Sequence, residues 1–224
     1  MQLSKVKING LFSLDDRNME QKKEILSKIR RSRKGTIFTP DSFLPTDLRY
    51  SSNILSELTA KGKLLKIAHG IYLKPITTRF GPIFPPLMNI AKNIAKRDGA
   101  KILPSGATAE NFLGFSTQLP MNSVFLTSGT PRKLKIGNRT LTLKHSVPKT
   151  FNYHGDIMPI LVLALKSIGK RNIDEIKLCK VTEILIKYPE EETWQHDIRM
   201  APQWIRDIIN YTKAKIDTQN EQMD

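Results

Sequence analysis

The stretch RKLKIGNRTLTLKH, residues 132–145, constrains the fold more than any other part of the chain. Leu134, Ile136, Leu141 and Leu143 alternate with polar residues on either side of Gly137-Asn138. Strict alternation sends successive side chains to opposite faces, and a two-residue Gly/Asn loop closes an antiparallel hairpin. One face is therefore apolar. Lys133, Lys135 and Lys144 project from the other, with Arg132 and Arg139 at the ends. Such a face is either a polyanion or partner surface or a solvated exterior.

A chain of 224 residues, 39% apolar, has the material for two small domains with cores of their own. Its formal charge is +15, and the excess is unevenly placed. Residues 1–80 hold 16 basic and 7 acidic side chains, residues 81–155 hold 10 and 2, and residues 156–224 hold 10 and 12. A block asymmetry of this kind points to a polyanion-facing part and a separate, ordinary part. The single Cys179 excludes an intramolecular disulfide and a cysteine zinc site, and suits a reducing, cytoplasmic setting. Lys5 and Lys7 interrupt the N-terminus before a secretory apolar stretch can form. The longest apolar run, from Ile157 to Leu165, is far short of the roughly 20 residues that span a bilayer and reads as a buried helix. No membrane association is expected.

Residues 1–80 read as three helices and a hairpin. Asp15 and Asp16 precede MEQKKEILSKIRRSRKG, acidic at its start and basic at its end as the helix dipole favours, with Gly35 as the stop. In TIFTPDSF, Thr39 is an N-cap and Pro40 opens a short second helix that Pro45 ends. A third helix begins at Asp47 or Ser52 and runs to about Lys61, burying Ile54, Leu55 and Leu58, with Gly62 just past its end. KLLKIAHGIYLKP then folds back at Ala68-His69-Gly70. This is the order of a winged helix-turn-helix, whose third helix enters the major groove while the wing follows the backbone. Arg49, Tyr50, Ser51, Ser52 and Asn53 are the candidate base readers, and Lys61, Lys63 and Lys66 the candidate phosphate contacts. The alternative is a protein-docking module in which that helix is a solvated face.

Pro75, Gly81, Pro82, Pro85 and Pro86 make residues 75–86 the linker candidate. Beyond it, a helix from Leu87 to about Arg97, a strand at Lys101–Leu103, a short helix ending at Gly114 and a strand from Ser123 to Thr127 lead into the hairpin. Residues 156–216 read as a helical tail. In it Leu178, Val181, Leu185 and Tyr188 share one face, Cys179 is a packed thiol, and Trp194 and Trp204 are core anchors or a protein-binding face. The polar end after Ile216 is expected to fray.

No catalytic motif stands out. Phosphate-loop, HExxH and GxSxG patterns are absent, and His69, His145, His154 and His196 lack metal-ligand spacing. Between residues 81 and 155 the only carboxylates are Asp98 and Glu110, which disfavours magnesium-dependent phosphoryl transfer there. Neither a cofactor nor a bound metal is expected, and the chain reads as a non-enzyme.

From Gly35 to about Lys149 the chain resembles the AbiEi-like antitoxins of bacterial type IV toxin–antitoxin systems. The resemblance rests on GTIFTPDSF with LTAKGKLLKIAHGIYLKP, and on ILPSGATAENFLGFSTQLPMNSVFLTSGTPRKLKIGNRTLTLKH, the more specific half. It implies an N-terminal winged helix that binds double-stranded DNA at its own operator and represses its operon. It also implies a remainder that counteracts a co-encoded nucleotidyltransferase-like toxin, usually without a stable complex. The motif residues Gly106, Asn111, Gly114, Thr117, Gln118, Pro120 and Thr127 read as structural.

The expected fold class is therefore α+β: a winged helix-turn-helix over residues 1–80, then a mixed α/β domain over 81–224 with an antiparallel hairpin and a helical C-terminal part. The leading functional expectation is an antitoxin and autorepressor. The alternatives are a DNA-binding transcriptional regulator without antitoxin activity, and an RNA-binding protein using the basic hairpin with Phe112, Phe115 and Phe125, which are expected to be buried.

Overall fold

A computed structural model describes residues 14–189 and 191–221, leaving Lys5 and Lys7 outside the described residues. The fold is mixed α+β, and the chain divides into two compact units, Met1–Phe84 and Pro85–Asp224.

In the first unit, α1 (Leu14–Arg31) takes in Asp15 and Asp16 within its opening turn rather than after them. A two-residue strand β1 (Ile37–Phe38) leads to a 3-10 turn, Pro40–Phe43, in place of a full second helix. The Thr39 N–H donates to Ser42 Oγ at 3.1 Å, which closes that turn. Then comes α2 (Leu48–Ala60), capped by Asp47, whose side chain accepts the Tyr50 N–H at 2.9 Å. Gly62 leaves the helix at φ +69, a left-handed conformation that costs glycine little. Strands β2 (Leu65–Ala68) and β3 (Ile71–Leu73) form a hairpin, and β1 pairs with the free edge of β3, so the sheet runs β1-β3-β2, all antiparallel. Ile25 and Ile29 of α1, Phe38, Phe43, Ile54, Leu55, Leu58, Leu64 and Tyr72 make one core.

The proline-rich segment expected to be a linker forms a second hairpin, β4 (Ile76–Thr78) with β5 (Gly81–Ile83). Pro82 sits opposite Thr77 in a two-stranded sheet, where each strand is an edge and a missing N–H is tolerated.

The second unit opens with α3 (Leu87–Arg97), buried along Leu87, Ile90, Ala91 and Ile94. Its sheet contains β6 (Ile102–Ser105), β7 (Asn122–Thr127), β8 (Arg132–Ile136) and β9 (Arg139–His145), in the order β6-β7-β9-β8. The β8–β9 hairpin has the register expected of a Gly137-Asn138 turn, with Ile136 opposite Arg139 and Leu134 opposite Leu141. β9 also pairs with β7, and in parallel, so the sheet is mixed. Between β6 and β7 lies α4 (Ala107–Leu113), which ends at Gly114 with φ +78.

After a 3-10 turn at Pro148–Phe151 come α5 (Met158–Ile168), a second 3-10 turn at Lys170–Asn172, α6 (Glu175–Lys187), α7 (Glu191–Met200) and α8 (Gln203–Glu221). Leu161, Leu165, Val181, Leu185, Trp194, Ile205 and Ile209 form their shared core, with Ala109 and Leu113 of α4. Leu103 packs against that core from the sheet, while the opposite sheet face, which carries Phe125, borders Leu87 and Met88 of α3.

Three expectations are corrected here. α8 continues to Glu221, past the Ile216 bound of the expected helical tail. Cys179 is exposed, because it lies a step off the stripe that buries Val181 and Leu185. Phe112 is 46% exposed, while Phe125 is buried and Phe115 packs against the helical core. The tryptophans stand as core residues, Trp194 buried and Trp204 half-buried against that core.

Candidate nucleic-acid interface

In the first unit, α2 presents two faces with different chemistry. Ser51, Ile54, Leu55 and Leu58 point into the core. Arg49, Asn53 and Ser56 are exposed, with Ser52 half-buried between them. The spacing of 49, 52, 53 and 56 is one side of a helix. These side chains carry the donor and acceptor sets that read base edges, with Arg suited to guanine and Asn to adenine.

Two of the expected base readers are withdrawn. Ser51 is fully buried, and its Oγ has no hydrogen-bond partner, so it faces the core and not a ligand. Tyr50 is half-buried, and its hydroxyl donates to the Asn18 carbonyl at 2.6 Å, tying α2 to α1. The alternation of exposed and buried positions along α2 brings Ser56 onto the open face, where its hydroxyl lies 3.1 Å from that of Tyr72.

The flanking lysines are also sorted by their partners. Lys63 and Lys66 are exposed around the start of the β2–β3 hairpin and make no ion pair among the described residues. Lys61 donates to Glu57 Oε1 at 2.6 Å, and Lys22 donates to Oε2 at 3.0 Å. Hydrogen bonds from Lys61 first and then Lys22 hold the Glu57 carboxyl at about 2, against an ordinary value of 4.5. Glu57 thus subtracts charge from the surface that Lys61 would offer to a phosphate. At the β4–β5 tip, Phe80 is 86% exposed and the Arg79 guanidinium lies 4.6 Å from its ring centroid. The sequence reading of this segment as a linker passed over that pair.

In the second unit the expected basic face keeps three of its five residues. Lys133, Lys135 and Lys144 are exposed and share a sheet face with Thr140 and Thr142. Arg132 lies on the opposite face and pairs with Asp98 at 2.6 Å, and Asp98 is also held by Arg97 at 2.7 Å. Arg139 stands opposite Ile136 on that same opposite face and borders a groove with Phe112, Leu119 and Phe125.

The fold also joins residues that sequence spacing kept apart. His154 and His196 stack with ring centroids 3.8 Å apart and 6° between planes. Asp197, wholly buried, accepts the His154 N–H at 2.9 Å, the Gly155 N–H at 2.8 Å and His196 Nδ1 at 2.8 Å. One donor atom from each of His154, His196 and Asp197 falls within 4.8 Å of the others, as a metal site requires. Both carboxylate oxygens accept these hydrogen bonds, so Asp197 ties the 153–155 loop to α7.

The model of a family of unknown function (DUF6088) matches residues 24–193, about three quarters of the chain. The chain belongs to that family. The matched span starts inside α1 and stops inside α7, so the α2 face, the β2–β3 hairpin and the mixed sheet lie within it. No curated protein matches the chain. Among the described residues, no helix is long and apolar enough to cross a membrane.

Proposed function

We propose that this chain is a DNA-binding autorepressor and the antitoxin of a type IV toxin–antitoxin pair, acting in the cytoplasm and without catalysis. On this reading the first unit is a winged helix-turn-helix. α1 supports the motif, the 3-10 turn and α2 are its helix-turn-helix, β2–β3 is its wing, and α2 is the recognition helix. The observation that carries the reading is the exposed Arg49, Ser52, Asn53 and Ser56 face of α2 beside the lysine-bearing approach to the β2–β3 hairpin. Arg49 lies in the first turn, the end of a recognition helix that meets base edges. Lys63 and Lys66 supply the salt-sensitive phosphate contacts that set affinity. The Arg79–Phe80 tip is a further candidate for backbone or minor-groove contact.

The antitoxin part rests on the resemblance of residues 35–149 to AbiEi-like proteins. It is tested by expressing the adjacent gene alone, with the full chain, and with its Arg49→Glu variant. The expected result is toxicity that either form relieves, with operator repression lost in the variant only. An adjacent gene without toxicity, or toxicity that the full chain fails to relieve, would leave a DNA-binding regulator.

A further inference from the structure

The second unit contains a pocket of about 620 Å³, walled by β7, the Pro148–Phe151 turn, α5 and the α7–α8 junction. Its volume is that of a small-molecule site. Its charge has one sign. Lys149, Lys166 and Arg199 reach it from three separate elements, and none of the described carboxylates lines it. Nor does any of the three form an ion pair among the described residues. Lys177 and Lys180, by contrast, are each paired with a neighbouring carboxylate, Asp174 at 2.6 Å and Glu183 at 2.7 Å. Three uncompensated cations around one concave surface create a positive potential that an entering anion relieves.

The remaining wall is apolar, formed by Leu126, Pro159, Val162 and Leu163 among others. An inorganic anion would leave that wall wet, whereas a ligand with a ring system covers it. The pocket is also held in shape from behind. Asp197 clamps the backbone N–H groups of His154 and Gly155 onto α7, which fixes Tyr153 on one wall and Arg199, two residues beyond Asp197, on another. Burial, with the charge of Asp197 added, raises the Tyr153 phenol above its usual value, so the hydroxyl stays protonated and can donate. A wall fixed before binding lowers the ordering cost of capturing a ligand.

We infer that this pocket binds a nucleoside triphosphate, with its phosphates on Lys149, Lys166 and Arg199 and its base and sugar along the apolar wall beside Tyr153. The site belongs to the second unit alone and does not depend on the DNA-binding reading.

The test is isothermal titration of the full chain with ATP, GTP, CTP and UTP, and separately with inorganic pyrophosphate and a single-stranded oligonucleotide, at physiological salt. At least one nucleotide is expected to bind one-to-one, at least about tenfold more tightly than pyrophosphate. Lys166→Gln/Arg199→Gln, and independently Lys149→Gln, should weaken it about tenfold or more, while Lys133→Gln/Lys135→Gln leaves it unchanged. Unaltered tryptophan-fluorescence unfolding midpoints check that the pocket variants are folded. The inference is overturned by any of four results: no saturable nucleotide binding; pyrophosphate binding as tightly as every nucleotide; binding of the oligonucleotide only; or nucleotide affinity unmoved by both pocket variants but lowered by Arg49→Glu.

Discussion

Replacing Asp197 with alanine removes a carboxylate that has no exposed surface and leaves two backbone donors, the N–H groups of His154 and Gly155, without acceptors. His154 is exposed and Gly155 half-buried, so each orphaned donor costs toward the low end of the about 1–3 kcal/mol of a buried one, roughly 2 kcal/mol for the two together. Asp197→Asn keeps the shape and one acceptor oxygen but turns an amide N–H₂ toward a donor, so a single part-buried orphan remains, at about 1 kcal/mol. The chain's two tryptophans, Trp194 and Trp204, both lie in the second unit's helices, so their fluorescence follows the unfolding of that unit. With a urea slope of about 1–3 kcal/mol per molar, the alanine variant should lower the midpoint by roughly 1 M, with the slope unchanged. The asparagine variant should fall between it and the parent. An alanine variant whose midpoint matched the parent's would mean that solvent replaces the lost acceptor, and the clamp argument would fail.

Ser51→Ala should leave both folding and DNA affinity nearly unchanged or raise stability slightly, since the buried Oγ has no partner; Asn53→Ala should lower operator affinity by about 1–3 kcal/mol in the same binding assay. The Glu57 carboxyl titrates at about 2 in the folded chain against an ordinary 4.5, so its ion pairs stabilise the fold above about pH 4.5, and that contribution is lost as pH falls toward 2. Glu57→Gln should therefore flatten the acid limb of the first unit's stability. By releasing Lys61, it should also tighten DNA binding and steepen the logarithmic salt dependence by up to about one unit, read by titration at several salt concentrations. Gly114→Ala forces a side chain into φ +78 and should cost about 1 kcal/mol in the tryptophan-monitored urea midpoint.

Local chemistry was the legible part of this chain. The β8–β9 hairpin followed from alternation about Gly137-Asn138, and α3 ended where its apolar stripe and Gly99 placed its end. Ser51 was legible too, because it lies three, four and seven residues before Ile54, Leu55 and Leu58 and so shares their buried stripe. Its polarity suggested a ligand contact, while its phase already assigned it to the core. Non-local pairing was not legible. Nothing in the local pattern of β9 says that its second edge takes β7 in parallel, since that choice is made by long-range packing. The proline-rich stretch failed differently: a two-stranded hairpin has edges on both sides and accepts Pro82, so proline content did not exclude strands there. His154 and Asp197 lie 43 residues apart, and only the return of α7 to the 153–155 loop joins them.

The most direct test of the central claim is fluorescence anisotropy of the full chain on duplex DNA from its own upstream region, set against a scrambled duplex at the same salt. The expected result is selective, salt-sensitive binding that Arg49→Glu and Asn53→Ala abolish or weaken, and that Ser51→Ala and Lys133→Gln/Lys135→Gln leave intact. Equal affinity for the scrambled duplex, or unchanged binding by Arg49→Glu, would contradict the assignment of α2 as the DNA-reading helix.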